Sequence, residues 1–132
     1  MDPIVKSQFL CLYCMVLADG IIDALEMEKL YKIGTEQYGL TQADITSAVR
    51  DAGTSFIFPK SFPDKIRLLM NLAEIALADN DIDPTEKALM RKYIIKMGFL
   101  ESNADGISDF IFSAVQNHQT LEQILNNIIT QN

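Results

Sequence analysis

Positive charge, histidine and cysteine are all scarce in this chain, and each scarcity removes a class of function. Eleven lysines and arginines stand against eighteen aspartates and glutamates, leaving a formal charge of -7 over 132 residues. Phosphate backbones demand clustered Lys and Arg, so the balance argues against nucleic acid as a partner and against electrostatic docking on anionic lipid. The one histidine, His118, sits near a predicted helix end without a nucleophile partner, which leaves nucleophilic catalysis unsupported. Cys11 and Cys14 have the spacing of a redox or zinc motif, but they fall in mid-helix among apolar residues with no second cysteine pair. A packed structural pair accounts for them. No apolar run reaches the roughly 20 residues that span a bilayer, no linker or low-complexity stretch divides the chain, and nothing reads as a strand.

What remains is a helical chain of one domain, 48% hydrophobic and long enough to bury a core. The segment from Phe9 to Ala18 imitates the apolar part of a secretory signal, with Lys6 before it and a small residue at its end. Its apolar positions Phe9, Leu12, Tyr13 and Val16 recur sixty residues later as Leu69, Leu72, Ala73 and Ala76, so it reads instead as the first half of a repeat. The expectation is a cytoplasmic protein with reduced cysteines.

Asp2-Pro3 starts a first helix running to about Ala18. Asp23 with Glu26 three residues on starts a second, reaching about Tyr38 before Gly39, and Thr41-x-x-Asp44 opens a short third with Ile45, Ala48, Val49 and Ala52. A loop from Gly53 to Phe62 carries Phe56, Ile57 and Phe58, which are expected to fold back on the core. Pro63 then begins a fourth helix with Ile66, Leu69, Leu72, Ala73 and Ala76 inward, ending near Asp79. Asp83-Pro84-Thr85-Glu86 unites cap, first-turn proline and third-position glutamate at the head of a fifth, which carries Leu89, Met90, Tyr93, Ile94 and Met97 to Gly98. A sixth lies between Ser102 and Asn117 with Ile107, Phe110, Ile111, Ala114 and Val115 inward. Thr120-x-x-Gln123 caps a seventh, whose Leu121, Ile124, Leu125, Ile128 and Ile129 keep the helical period. The expected architecture is all-α, with two related halves at about residues 3–52 and 63–117 packed about a pseudo-twofold axis, and a last helix at about 121–130. Such an axis would bring the turns of the two halves together.

Those turns are acidic. Asp19-Gly-Ile-Ile-Asp23-Ala-Leu-Glu26-Met-Glu28 and Asp79-Asn-Asp81-Ile-Asp83-Pro-Thr-Glu86-Lys-Ala88 carry -4 and -3, the whole formal charge of the protein. From Leu17 to Lys32 against Leu77 to Lys92, seven of sixteen positions are identical, three of them acids. A structural account covers part of this pattern. Asp23 and Asp83 stand where a cap accepts an N–H bond, and Glu26 and Glu86 stand where they can return one, a device worth about 1 kcal/mol. Asp19 and Asp79 do not fit that account. Each falls at the C-terminal end of a helix, where the dipole disfavours a carboxylate. Together with Asp81, they must spread into solvent, take up protons or share a cation. A hard divalent ion, Ca²⁺ or Mg²⁺, suits Asp, Asn and carbonyl oxygens, and the Cys and His ligands preferred by zinc are missing from these turns. An EF-hand does not fit, because Pro84 (Ala24 in the first turn) replaces the obligatory glycine and Met90 (Leu30) the bidentate glutamate. The same carboxylates could serve as acid and base, but nothing separates their environments and no substrate motif accompanies them. Met15, Met70, Met90, Tyr31 and Tyr93 read as core or interface.

Ala18-Asp19-Gly20-x-Ile22-Asp23-x-x-Glu26 and its echo Ala78-Asp79-Asn80-x-Ile82-Asp83-x-x-Glu86 resemble the TerB-like family, the tellurite-resistance B proteins and the related N-terminal region of DjlA-type co-chaperones. The resemblance runs from the first helix through the sixth. It implies an all-helical fold of duplicated halves and a non-enzymatic role in stress response, with a membrane-associated complex as protein partner. It also implies metal binding by an acidic cluster, which here falls on Asp19, Asp23, Glu26, Asp79, Asp83 and Glu86. Asn80 stands where the family's glycine is expected, and asparagine tolerates the left-handed conformation of such a turn. The alternative is a metal-free interaction domain that offers its acidic surface to a basic partner.

Overall fold

Among the described residues, five of the seven helices begin at a side-chain cap, and the sequence announces four of them. The computed structural model describes residues 3–17, 23–50, 58–78 and 82–130. Among these, the chain forms α1 (Pro3–Val16), α2 (Ala24–Glu36), α3 (Gln42–Arg50), α4 (Phe62–Ala76), α5 (Pro84–Lys96), α6 (Glu101–Gln116) and α7 (Leu121–Thr130), with no strand. At α3 the Thr41 N–H donates to Asp44 Oδ2 (3.0 Å) and the Asp44 N–H to Thr41 Oγ1 (3.1 Å). The same reciprocal pair opens α7, between Thr120 and Gln123 (2.9 and 3.1 Å). A full capping box opens α5. Each satisfies N–H groups that a helix start otherwise leaves to water.

Three boundaries differ from expectation, one of them the end of α4, which closes at Ala76, short of the expected Asp79, with the Leu77 N–H donating to the Ala73 carbonyl. Helix α4 starts at Phe62 rather than Pro63, because the Ser61 hydroxyl accepts the Asp64 N–H at 3.2 Å and takes Phe62 into the first turn. Helix α2 stops at Glu36, short of Tyr38. The Leu40 N–H reaches back to the Gly34 carbonyl (3.0 Å) over Gly39, whose φ of +65° turns the chain away. The Asp2 cap, the Ala18 end of the first helix, Ala52, Phe56 and Ile57 lie outside the described residues.

Helix α4 is the axle. It packs on α1, α2, α5, α6 and α7, and it is buried well beyond the expected stripe, with Leu68, Met70 and Ile75 joining Ile66, Leu69, Leu72, Ala73 and Ala76 inside. One polar side chain goes in with them. Asn71 is 1% exposed, donates to Gln37 Oε1 (2.9 Å) and accepts from the Tyr38 hydroxyl (3.3 Å), so its amide is served on both sides. The same three packing relations hold among α1, α2 and α3 as among α4, α5 and α6.

Met15, Met70, Met90 and Tyr93 are buried and Tyr31 is packed against the core, as read. Phe58 is half-buried with its ring 5.7 Å from that of Tyr93, so this part of the loop does turn inward. On α6, Ile111 and Ala114 face inward, but Ile107, Phe110 and Val115 are only half-buried while Ala104, Ser108 and Phe112 are deeper. Packing against both α4 and α5 rotates the buried face of α6 toward Phe112. Where α2 crosses α1 and α3, Gly34 makes room: a Cβ there would lie 2.9 Å from the Phe9 ring and 3.0 Å from Ile45. No helix among the described residues is long and apolar enough to cross a membrane.

Candidate functional site

The four described acids that the two copies share, Asp23, Glu26, Asp83 and Glu86, occupy matching places at the heads of α2 and α5. Asp23 Oδ1 accepts the N–H groups of Leu25 (2.8 Å) and Glu26 (3.1 Å). Asp83 Oδ1 accepts the Thr85 N–H (2.8 Å) and the Thr85 hydroxyl, which hold its carboxyl below the usual carboxylate range. The Asp83 N–H donates to Glu86 Oε1 at 3.0 Å, completing the box. Glu26 and Glu86 are only 2% and 3% exposed. Burial of a carboxylate is costly without hydrogen bonds or a cation, and here it is repeated in both halves. Asp19, Asp79 and Asp81, the acids that a cap does not explain, lie outside the described residues. Among the described residues no three His, Cys, Asp or Glu side chains converge as a metal set.

The flanks of the two turns border the same two grooves, and they do so crosswise. Leu77 and Ala78, which lead into the second turn, share a groove of about 750 Å³ with Leu25, just past the first. Leu17, which leads into the first turn, shares a groove of about 470 Å³ with Thr85, just past the second. The two linings are related residue by residue across sixty positions. Leu25, Glu28, Lys29, Lys32, Glu74 and Leu77 in one groove correspond to Thr85, Ala88, Leu89, Lys92, Cys14 and Leu17 in the other.

Sequence reading missed this pair of grooves. The sixty-residue register already ran to Lys32 and Lys92, but it does not show which side chains of α1 and α4 stand across a groove from them.

The frames match but their chemistry differs. In the larger groove, Lys29 Nζ lies 3.9 Å from Glu74 Oε2, and burial raises the Glu74 carboxyl despite Lys29 and Lys32 nearby. His118, from the end of α6, lines the same groove with its backbone at φ +58°, a conformation rare outside glycine. In the smaller groove the wall is mostly apolar. Cys14 there and its neighbour Cys11 are free thiols that hydrogen-bond to Tyr93. Burial pushes Cys11 up to about 12 and raises Cys14 as well, so both are held as thiols and neither is set up as a nucleophile.

No protein-family profile, no curated protein and no solved structure matches this chain.

Proposed function

We propose that this chain is a TerB-like, non-enzymatic stress-response module, associated with tellurite resistance, that binds Ca²⁺ or Mg²⁺ through its two acidic turns. Asp19 and Asp79 are the principal ligands in this reading, with Asp23, Glu26, Asp83 and Glu86 around them. The observation that supports it is that the flanks border common grooves crosswise, Leu17 with Thr85 and Leu77 with Leu25. Donor chemistry agrees with a hard cation. The carboxylate oxygens of two turns can supply part of the six to eight oxygens of Ca²⁺, or the fewer protein ligands that Mg²⁺ takes beside water. A bound ion would offset the repulsion among the acids and tie the two halves together. In this reading the protein works in the cytoplasm, as part of a membrane-associated stress complex.

A melting curve after chelator treatment, with and without added divalent ion, tests the proposal. At a hundred times the dissociation constant, an ion that binds only the folded state should add about 2.7 kcal/mol. Titration calorimetry should give saturable heats that vanish in Asp19→Asn/Asp79→Asn. Equal weak heats from wild type and variant would remove the site.

A second reading is favoured by the caps themselves. Asp23 and Asp83 already serve the N–H groups of their own helices, so the acids can persist without metal as a surface for a basic protein. In that case the double Asn variant keeps its stability in chelator and loses its partner in a pull-down.

A further inference from the structure

The two grooves share a frame and differ in what they would hold. At corresponding positions the larger one has Glu28, Lys29 and Glu74, whereas the smaller one has Ala88, Leu89 and Cys14; lysine stays at both Lys32 and Lys92. Exchange of charged for apolar side chains leaves the smaller groove with an apolar floor of Leu17, Leu89 and Ala88. Its only charged lining residues among those described are Lys92 and Lys96. These two lysines lie four residues apart and share one face of α5.

In a chain whose acids outnumber its bases eighteen to eleven, a recess whose charged lining among the described residues is two lysines favours an anion at that end. Its remaining surface selects for hydrocarbon. Thr85, Ala88, Leu89, Lys92, Tyr93 and Lys96 follow one another at helical spacing along α5, so the wall runs about 16 Å from end to end at 1.5 Å per residue. Small-molecule sites are usually concave and mostly apolar, with a few polar groups that fix the ligand's orientation. We propose that the groove between the end of α1 and α5 binds a single-chain fatty carboxylate, its head at Lys92 and Lys96 and its tail along Leu89, Ala88 and Leu17. Binding of this kind is independent of the acidic turns and of any metal.

Titration of the ¹⁵N-labelled protein with decanoate, below its micelle-forming concentration, tests the assignment in chelator. Saturable amide shifts are expected in the last turn of α1 and along α5, and decyltrimethylammonium, with a tail of the same length and the opposite charge, should give none there. Lys92→Gln/Lys96→Gln should weaken decanoate about tenfold or more, which is the scale of one lost charged contact. The two chains binding alike, an undiminished affinity in the double variant, or shifts confined to other surfaces would each overturn the proposal. So would shifts from an acidic amphipathic peptide with none from decanoate, an outcome that assigns the groove to a protein partner. The comparison of the two chains uses the unaltered protein and does not depend on how the variant folds.

Discussion

His118 holds at the end of α6 the backbone position that Gly98 holds at the end of α5. Both residues have positive φ, 58° and 100° respectively. Each donates its N–H to the carbonyl three residues back, Val115 and Ile95, and the next residue donates to Ala114 and Ile94, the paired bonds of a Schellman close. Glycine adopts this conformation without the steric penalty that a Cβ brings, a difference of about 1 kcal/mol. His118→Gly should therefore stabilise the fold by about that amount in urea unfolding. A loss of stability would mean that the imidazole makes a contact stronger than the strain.

Glu74 gives a pH dependence of definite sign. Burial is the larger effect and raises its carboxyl in the folded protein above the value of about 4.5 in the unfolded chain; Lys29 and Lys32 act in the other direction. A raised acid favours the fold while it is protonated, so its contribution is full below that pH and is lost as pH rises through the folded value. Glu74→Gln should remove this loss. Its melting temperature should match wild type in acid and exceed it at neutral pH.

The cap at Asp83 has the opposite sign. Its hydrogen bonds from Thr85 lower the carboxyl, so the stabilisation is present above the ordinary value of 3.8 and disappears as pH falls through the lowered one. Asp83→Ala should lower the melting temperature at pH 7 already in chelator, because the cap needs no ion, and should lower it further in Mg²⁺, where a ligand of the proposed ion is lost as well. An effect seen only with Mg²⁺ would place this side chain on the metal instead.

Gly34→Ala sets two effects against each other. Alanine gains about 1 kcal/mol of helix propensity, but its Cβ would stand 2.9 Å from the fully buried Phe9 ring and 3.0 Å from Ile45. Overpacking of this kind costs about 1–3 kcal/mol. A net destabilisation of roughly 1 kcal/mol is expected by chemical denaturation. Gly106, with nothing within 4 Å of its would-be Cβ, is the control, and Gly106→Ala should stabilise.

Asn71→Leu keeps the branched shape and strips the hydrogen bonds. The Tyr38 hydroxyl and Gln37 Oε1 would then face a side chain that can serve neither. A loss of about 2 kcal/mol is expected, and Tyr38→Phe in the same background should recover part of it.

Local chemistry was legible in the sequence, and long-range chemistry was not. The caps at Asp23, Thr41, Asp83 and Thr120 are bonds between neighbours two or three residues apart, so spacing alone announces them. Periodicity placed all seven helices for the same reason. The all-round burial of α4 depends on which helices surround it, and no stripe on α4 predicts that Leu68 and Ile75 are as deep as Leu72. Glu26 and Glu86 were readable as capping residues but not as buried ones. The left-handed turn at His118 was hidden because its side chain gives no sign of it; the cue lay in Gly98, one helix earlier. Of the expected ligands, Asp23, Glu26, Asp83 and Glu86 stand at helix heads as read, while Asp19 and Asp79 fall where no description is made.

Helix α4 belongs by sequence to the second half, yet α1 and α2 of the first half pack directly on it. Neither half can close its own interior. A gene split between them would make two peptides that stay incomplete apart and recover a native spectrum only when mixed, with a midpoint that depends on their concentration.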